Sequence, residues 1–197
     1  MRWYSFAAVA ALISLSALNS VQAANKTPSD QFAQRLLAGS IAAKGKSYAC
    51  FARRYNAAHL AKHAEQQVTA MQLLVSAQTD PEDKQLNFSF SLRAKLRGAD
   101  KEFSNGGECG HPSAEEEGGK LTLGCGIDCD GGGLSIEMVN SDKAILVRIE
   151  RLALWATKGD GDVNINGPDD RSFLLERVDL EICKPMIPED DDDAQTM

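Results

Sequence analysis

Leu86 to Leu96 constrains this chain more than any other stretch. Leu86, Phe88, Phe90, Leu92, Ala94 and Leu96 alternate with Asn87, Ser89, Ser91, Arg93 and Lys95. Period two over eleven residues specifies a strand with one buried and one wet face. Similar segments lie at 47–55, 68–76, 121–129, 134–139, 144–155 and 173–183. Gly98-Ala99-Asp100, Asp130-Gly131-Gly132-Gly133 and Asn140-Ser141-Asp142 supply turns between them. Short strands, such turns and one polar face predict a mainly β, antiparallel fold. Seven or so strands in this length predict a small barrel, because closure removes exposed edges; a two-sheet sandwich is the alternative.

One amphipathic helix precedes the strands. Thr27 can cap it, Pro28 suits its first position and Asp30 complements its dipole. Phe32, Leu36, Leu37 and Ile41 form its apolar stripe, and Gly45 ends it. It is expected to lie on the body of the domain. A second, short helix is expected within 56–67.

The N-terminus carries an address. Arg2 precedes the uncharged, largely apolar run 6–18, and Val21-Gln22-Ala23 follows. That order predicts a secretory signal peptide over 1–23, cleaved after Ala23. The run is shorter than the roughly 20 residues of a membrane span, and no later segment approaches one. No cysteine adjoins the cleavage site, so no lipid anchor is expected. The predicted location is the periplasm, with an extracellular destination as the alternative. The remaining chain divides into a helical segment 24–46, a single β domain 47–184 and a disordered acidic tail 185–197. The formal net charge is −7, and Glu189 to Asp193 supplies five acids. Nucleic-acid binders carry a basic patch or stripe, so a nucleic-acid partner is not expected.

Cys50, Cys109, Cys125, Cys129 and Cys183 all follow the leader. In an oxidising compartment they predict disulfides, and the odd number leaves one thiol over. If 121–129 is a strand, Cys125 and Cys129 share a face roughly 13 Å apart, at about 3.3 Å per residue. A disulfide needs Cα atoms within about 7 Å, so those two should not bond each other. Cys109 is the partner expected for one of them. Cys50 and Cys183, on the first and last strands, could close the domain end to end. The rival reading is a zinc site from Cys109, His111, Cys125 and Cys129. Its spacing is not that of a common finger or ribbon, and no Cys-x-x-Cys redox pair occurs.

Asp162-Val163-Asn164-Ile165-Asn166-Gly167 matches the first half of a calcium loop, with Asp170 at its ninth position. Phe173 stands where a bidentate Glu belongs, so an ordinary polar loop is the expectation. His59 and His63 would share a helix face, but Leu60 replaces the acid of H-E-x-x-H. Arg53-Arg54-Tyr55 reads as a surface or ion-pair cluster, and Asp130 to Gly133 as a hairpin turn. The chain has no G-x-S-x-G, Walker or G-x-G-x-x-G motif.

The run Cys125-Gly-Ile-Asp-Cys129-Asp-Gly-Gly-Gly and the run from Gly167 to Arg177 (GPDDRSFLLER) resemble a group of small exported bacterial proteins without an assigned activity. The resemblance spans roughly 50–183. It implies a single exported domain and transfers no catalytic residue. The expected function is that of a non-catalytic β domain without a cofactor, structural or binding a small ligand or partner. The alternative is a calcium- or zinc-binding protein or metal-dependent enzyme, using the Asp162 loop, the Cys109–His111 cluster or the two histidines.

Overall fold

The computed structural model describes residues 26–42, 45–114 and 120–188. The leader 1–23 and the five acids of the tail lie outside the described residues. Ten strands form one antiparallel sheet: β1 Lys46–Arg54, β2 Val68–Thr79, β3 Leu86–Leu96, β4 Glu102–Cys109, β5 Ser113–Ala114, β6 Leu121–Ile127, β7 Gly132–Val139, β8 Ala144–Ala156, β9 Asp162–Ile165 and β10 Ser172–Val178. Eight of them close into a ring, in the order β1-β2-β3-β4-β6-β7-β8-β10 and back to β1. β5 pairs with β6. β9 lies beside the far end of β8, which also meets β4 through Phe103↔Ala156 and Ser104↔Trp155.

The ring closes because alternate side chains of every member need one shared interior. On β3, Leu86, Phe88, Phe90, Leu92, Ala94 and Leu96 are all buried, as the alternation requires. They meet Phe51, Met71, Leu73, Leu123, Ile136, Ile145, Leu152 and Phe173 from the other strands. Burying one such Phe or Leu stabilises by about 1.5–3 kcal/mol. Three strands escaped sequence reading altogether, β4, β5 and β9. The strand expected over 173–183 stops at Val178. Beyond it the chain makes two single 3-10 turns, Leu180–Ile182 and Lys184–Met186. Those turns pack on the outside of β1 and β2, where Leu180, Met186 and Ile187 surround Cys50, Leu74 and Cys183. Residues up to Ile187 therefore pack against the domain, past the boundary expected at 184.

Helix α1, Pro28–Leu36, starts as its sequence dictates. Thr27 Oγ1 accepts from the Asp30 amide at 3.1 Å, and Asp30 Oδ2 accepts from the Thr27 amide at 3.1 Å. This reciprocal pair satisfies two otherwise orphaned donors. The helix ends earlier than expected, because Ala38 and Gly39 turn left-handed at φ 51° and 85°. The Gly39 amide then donates back to Gln34 O at 2.8 Å. Ile41 consequently lies beyond it. Nor does α1 merely lie on the domain: it plugs one end of the ring. Phe32, Ala33 and Leu36 are fully buried, and Phe32 meets Phe88 edge-to-face at 6.0 Å. Arg35 reaches Asp142 at 2.7 Å. Arg177, at the end of β10, donates to Leu36 O at 2.7 Å, to Arg35 O at 3.0 Å and to Asp142 O at 3.1 Å. Its guanidinium also sits 4.7 Å from the centre of the Phe51 ring. A cation at a helix C-terminus opposes the negative end of the dipole.

Two glycine positions separate geometry from convenience. A Cβ on Gly107 would stand 2.0 Å from Gly126 O, on the neighbouring strand, whereas one on Gly124 would meet nothing within 4 Å. Gly107→Ala is expected to force β4 away from β6 and destabilise by about 1–3 kcal/mol, as overpacking does. Gly124→Ala should be neutral or slightly stabilising, since glycine weakens a strand interior. Chemical denaturation of both variants reads this, and equal midpoints would show that the β4–β6 approach is looser than drawn.

Candidate functional site

The ring's interior holds the buried core, and two hollows lie on its outer surface. The outer face of β1, β2 and β3 holds a hollow of about 450 Å³. Register builds it in two rows. Ala52, Gln72, Arg93 and Ser104 face one another across four strands, and Arg54, Ala70, Lys95 and Glu102 form the next row. Ala52 and Ala70 are the short side chains in these rows, and the hollow opens above them. Val178 and Ile182, from the segment stapled over β1 and β2, make its apolar wall. Ile182 is 48% exposed. The Cys50–Cys183 disulfide, with its Cα atoms 5.8 Å apart, fixes that wall in place. The Gln72 amide donates to Ile182 O at 3.3 Å from the floor.

The rim is cationic in an acidic protein. Arg53 pairs with Glu176 at 2.7 Å. Glu102 is shared between Lys95 at 3.4 Å and Arg93 at 3.8 Å. Arg93 also donates weakly to Pro185 O at 3.4 Å, and its buried Nε has no partner. The Arg54 side chain, exposed, has no ion-pair or hydrogen-bond partner among the described residues.

A wider trough of about 840 Å³ lies over β6, β7 and β8, floored by Gly124, Gly126 and Gly133. It is more open. Arg151 donates to Asp130 O and Arg148 meets Glu137 at 2.9 Å, while the Arg171 side chain has no partner among the described residues. Glu137 is 3% exposed and also receives Lys120 at 2.7 Å. The Lys120 and Arg148 hydrogen bonds lower its pKa, against the opposing effect of burial. A depressed carboxylate stabilises the fold fully above the ordinary Glu range and loses that contribution as pH falls through the lowered value. Glu137→Gln should thus cost about 1–2 kcal/mol near neutrality, the scale of charge-assisted hydrogen bonds. The deficit should shrink in acid. A deficit unchanged down to pH 3 would contradict the ion-pair account.

The sequence candidates fall elsewhere. Asp162 and Asn164 sit on β9 with their side chains outward, so the segment is a strand rather than a calcium loop. Asp170 is buried and spends both oxygens on backbone: Oδ2 accepts from Gln67 N at 2.7 Å and Oδ1 from Val68 N at 3.1 Å. Asn166 is exposed next to it. Cys109 and Cys125 oppose each other on β4 and β6 and are joined by a disulfide, so they are not thiolate ligands. Cys129 is free and exposed at the β6–β7 turn, with His111 exposed on the β4–β5 connection. Helix α2, Ala57–Lys62, does bring the histidines together, as stacked rings. Tyr55 stacks on His59 at 4.6 Å and His59 on His63 at 4.3 Å. Gln66 occupies His59 Nε2 at 2.9 Å, and Asp169 lies 3.9 Å from His63. Burial raises the Tyr55 pKa; Arg53 opposes that and Asp170 adds to it. Among the described residues, no three His, Cys, Asp or Glu side chains converge on a point a metal could occupy. No described helix is long and apolar enough to cross a membrane.

Apart from the Arg53-Arg54 pair, the groove residues carried no sequence signal, since they lie on segments distant in sequence that only register and the Cys50–Cys183 bridge unite. Compared with family models, curated proteins and solved structures, the chain matches none.

Proposed function

We propose that this chain is an exported, non-catalytic binding domain built on a small eight-stranded barrel, with its ligand held on the outer surface rather than in the lumen. The observation that carries the reading is the contrast between the two sides of one sheet. Inside, Phe51, Phe88 and Leu92 are packed into the buried core. Outside, Ala52 and Ala70 leave a hollow of about 450 Å³ beneath a disulfide-held wall. That volume falls within the range of small-molecule sites, and its lining is half apolar and half polar or charged. Two disulfides fit an oxidising, exported environment. We place it in a bacterial periplasm, in keeping with the leader 1–23 and the resemblance to small exported proteins.

Titration of the labelled protein with a mixed set of small neutral, basic and acidic fragments, followed by amide shifts, tests the binding reading. Shifts are expected to cluster on Ala52, Ala70, Gln72 and Ile182. A cluster on another face, or none, would overturn it. The exported form should begin at Ala24, which mass spectrometry of the mature protein reads directly.

A further inference from the structure

We infer that the ligand of the β1–β3 hollow is a small organic acid: one carboxylate at the cationic end, carried on a compact apolar body. The inference rests on the binding reading above and adds the chemistry of the guest. Arg54 and Lys95 occupy one row, with Ala70 between them on β2. Neighbouring strands are about 4.8 Å apart, so the two cations rise from backbone about 10 Å apart, across a gap that alanine leaves open. A carboxylate between them can take a charge-assisted bond of about 2.8 Å from each side.

The charges there are unbalanced. Arg53 is neutralised by Glu176, and Glu102 is the one carboxylate lining the hollow. It serves Lys95 and Arg93 only at 3.4 and 3.8 Å. Arg54 is left without an anion, and Arg93 without a partner for its Nε. In a chain of net charge −7, a local cationic surplus around a concavity selects a negative guest. Inorganic phosphate would satisfy the cations but leave Val178 and Ile182 unused. An apolar body lying on Ala52, Ala70 and the Ile182 wall uses both ends of the hollow. The methylene stems of Arg54 and Lys95 extend that apolar lining while their heads stay in water.

Amide-shift titrations of the full oxidised protein with 3-phenylpropionate, its neutral amide 3-phenylpropanamide, and inorganic phosphate decide the matter. The acid should shift Ala52, Ala70, Gln72 and Ile182 at about one tenth of the concentration the amide needs, the factor one well-placed charge pair supplies. Arg54→Gln, a change at an exposed position, should abolish that preference while leaving the spectrum's dispersion intact. Ala70→Leu, which fills the gap, should weaken the acid and the amide alike. Equal binding of acid and amide in the hollow would sink the carboxylate inference and leave the binding reading standing. Phosphate matching the acid would sink the organic-acid assignment. No groove shift with any probe at about 10 mM, an affinity too weak to be a function, would sink both.

Discussion

Replacing Phe88 by Ala should lower the melting temperature by about 6–20 °C. The side chain is 1% exposed on the interior face of β3 and holds Phe32 of α1 edge-to-face. Phe→Ala in a core costs about 3–5 kcal/mol, through lost transfer energy and the cavity left behind. In a domain of this size each kcal/mol is worth about 2–4 °C. Asn87→Ala, one residue away on the exposed face, should change the midpoint by less than about 0.5 kcal/mol. The paired comparison matters more than either value. If the two variants melt together, the ring has no single interior and the period-two pattern of β3 has been misread.

Loss of the Cys50–Cys183 bridge should be comparably severe. Its cysteines are 133 residues apart, and a loop of that length lowers the entropy of the unfolded chain by about 5 kcal/mol in the chain-entropy model, though real bridges often give less. The bridge Cys109–Cys125, spanning 16 residues, corresponds to about 3 kcal/mol in the same model. Cys50→Ala with Cys183→Ala should therefore destabilise more than Cys109→Ala with Cys125→Ala, measured by urea unfolding. The first pair should also loosen the Val178–Ile182 wall, seen as faster amide exchange from Leu180 to Ile187. The reverse order of stabilities would mean that the long-range bridge joins segments that are already close in the unfolded ensemble. Non-reducing peptide maps check the connectivity itself, with Cys129 expected to be the alkylatable thiol.

Sequence patterning reveals an element when its own side chains carry the signal. β3 was legible to the residue, because its interior face is uninterrupted Leu, Phe and Ala. The start of α1 was legible too, because capping uses residues adjacent in sequence. β4 was not. Its run Glu-Phe-Ser-Asn-Gly-Gly-Glu-Cys buries only Phe103, and the strand exists because β3 on one side and β6 and β8 on the other take up its backbone groups. β9 was misleading for a related reason. Polar residues at every second position suit both a cation-wrapping loop and the wet face of a strand, and the buried Ile165 between Asn164 and Asn166 decides for the strand. The groove depends on register across four strands, the property a single sequence expresses least. Its arginines looked like ordinary surface charge, and its two alanines like nothing at all.

The plug at the end of the ring has a consequence in time. Arg177 grips the last carbonyls of α1 across 141 residues of chain, and β1 pairs with β10 through Cys50↔Val178. A chain delivered N-terminus first thus presents α1 with its apolar face bare, while the strand that seals it is the last to arrive. Contacts this distant in sequence form slowly, on the scale of milliseconds to seconds for β-rich domains. Until β10 docks, the seams it makes with β1 and β8 stay open and the ring is incomplete.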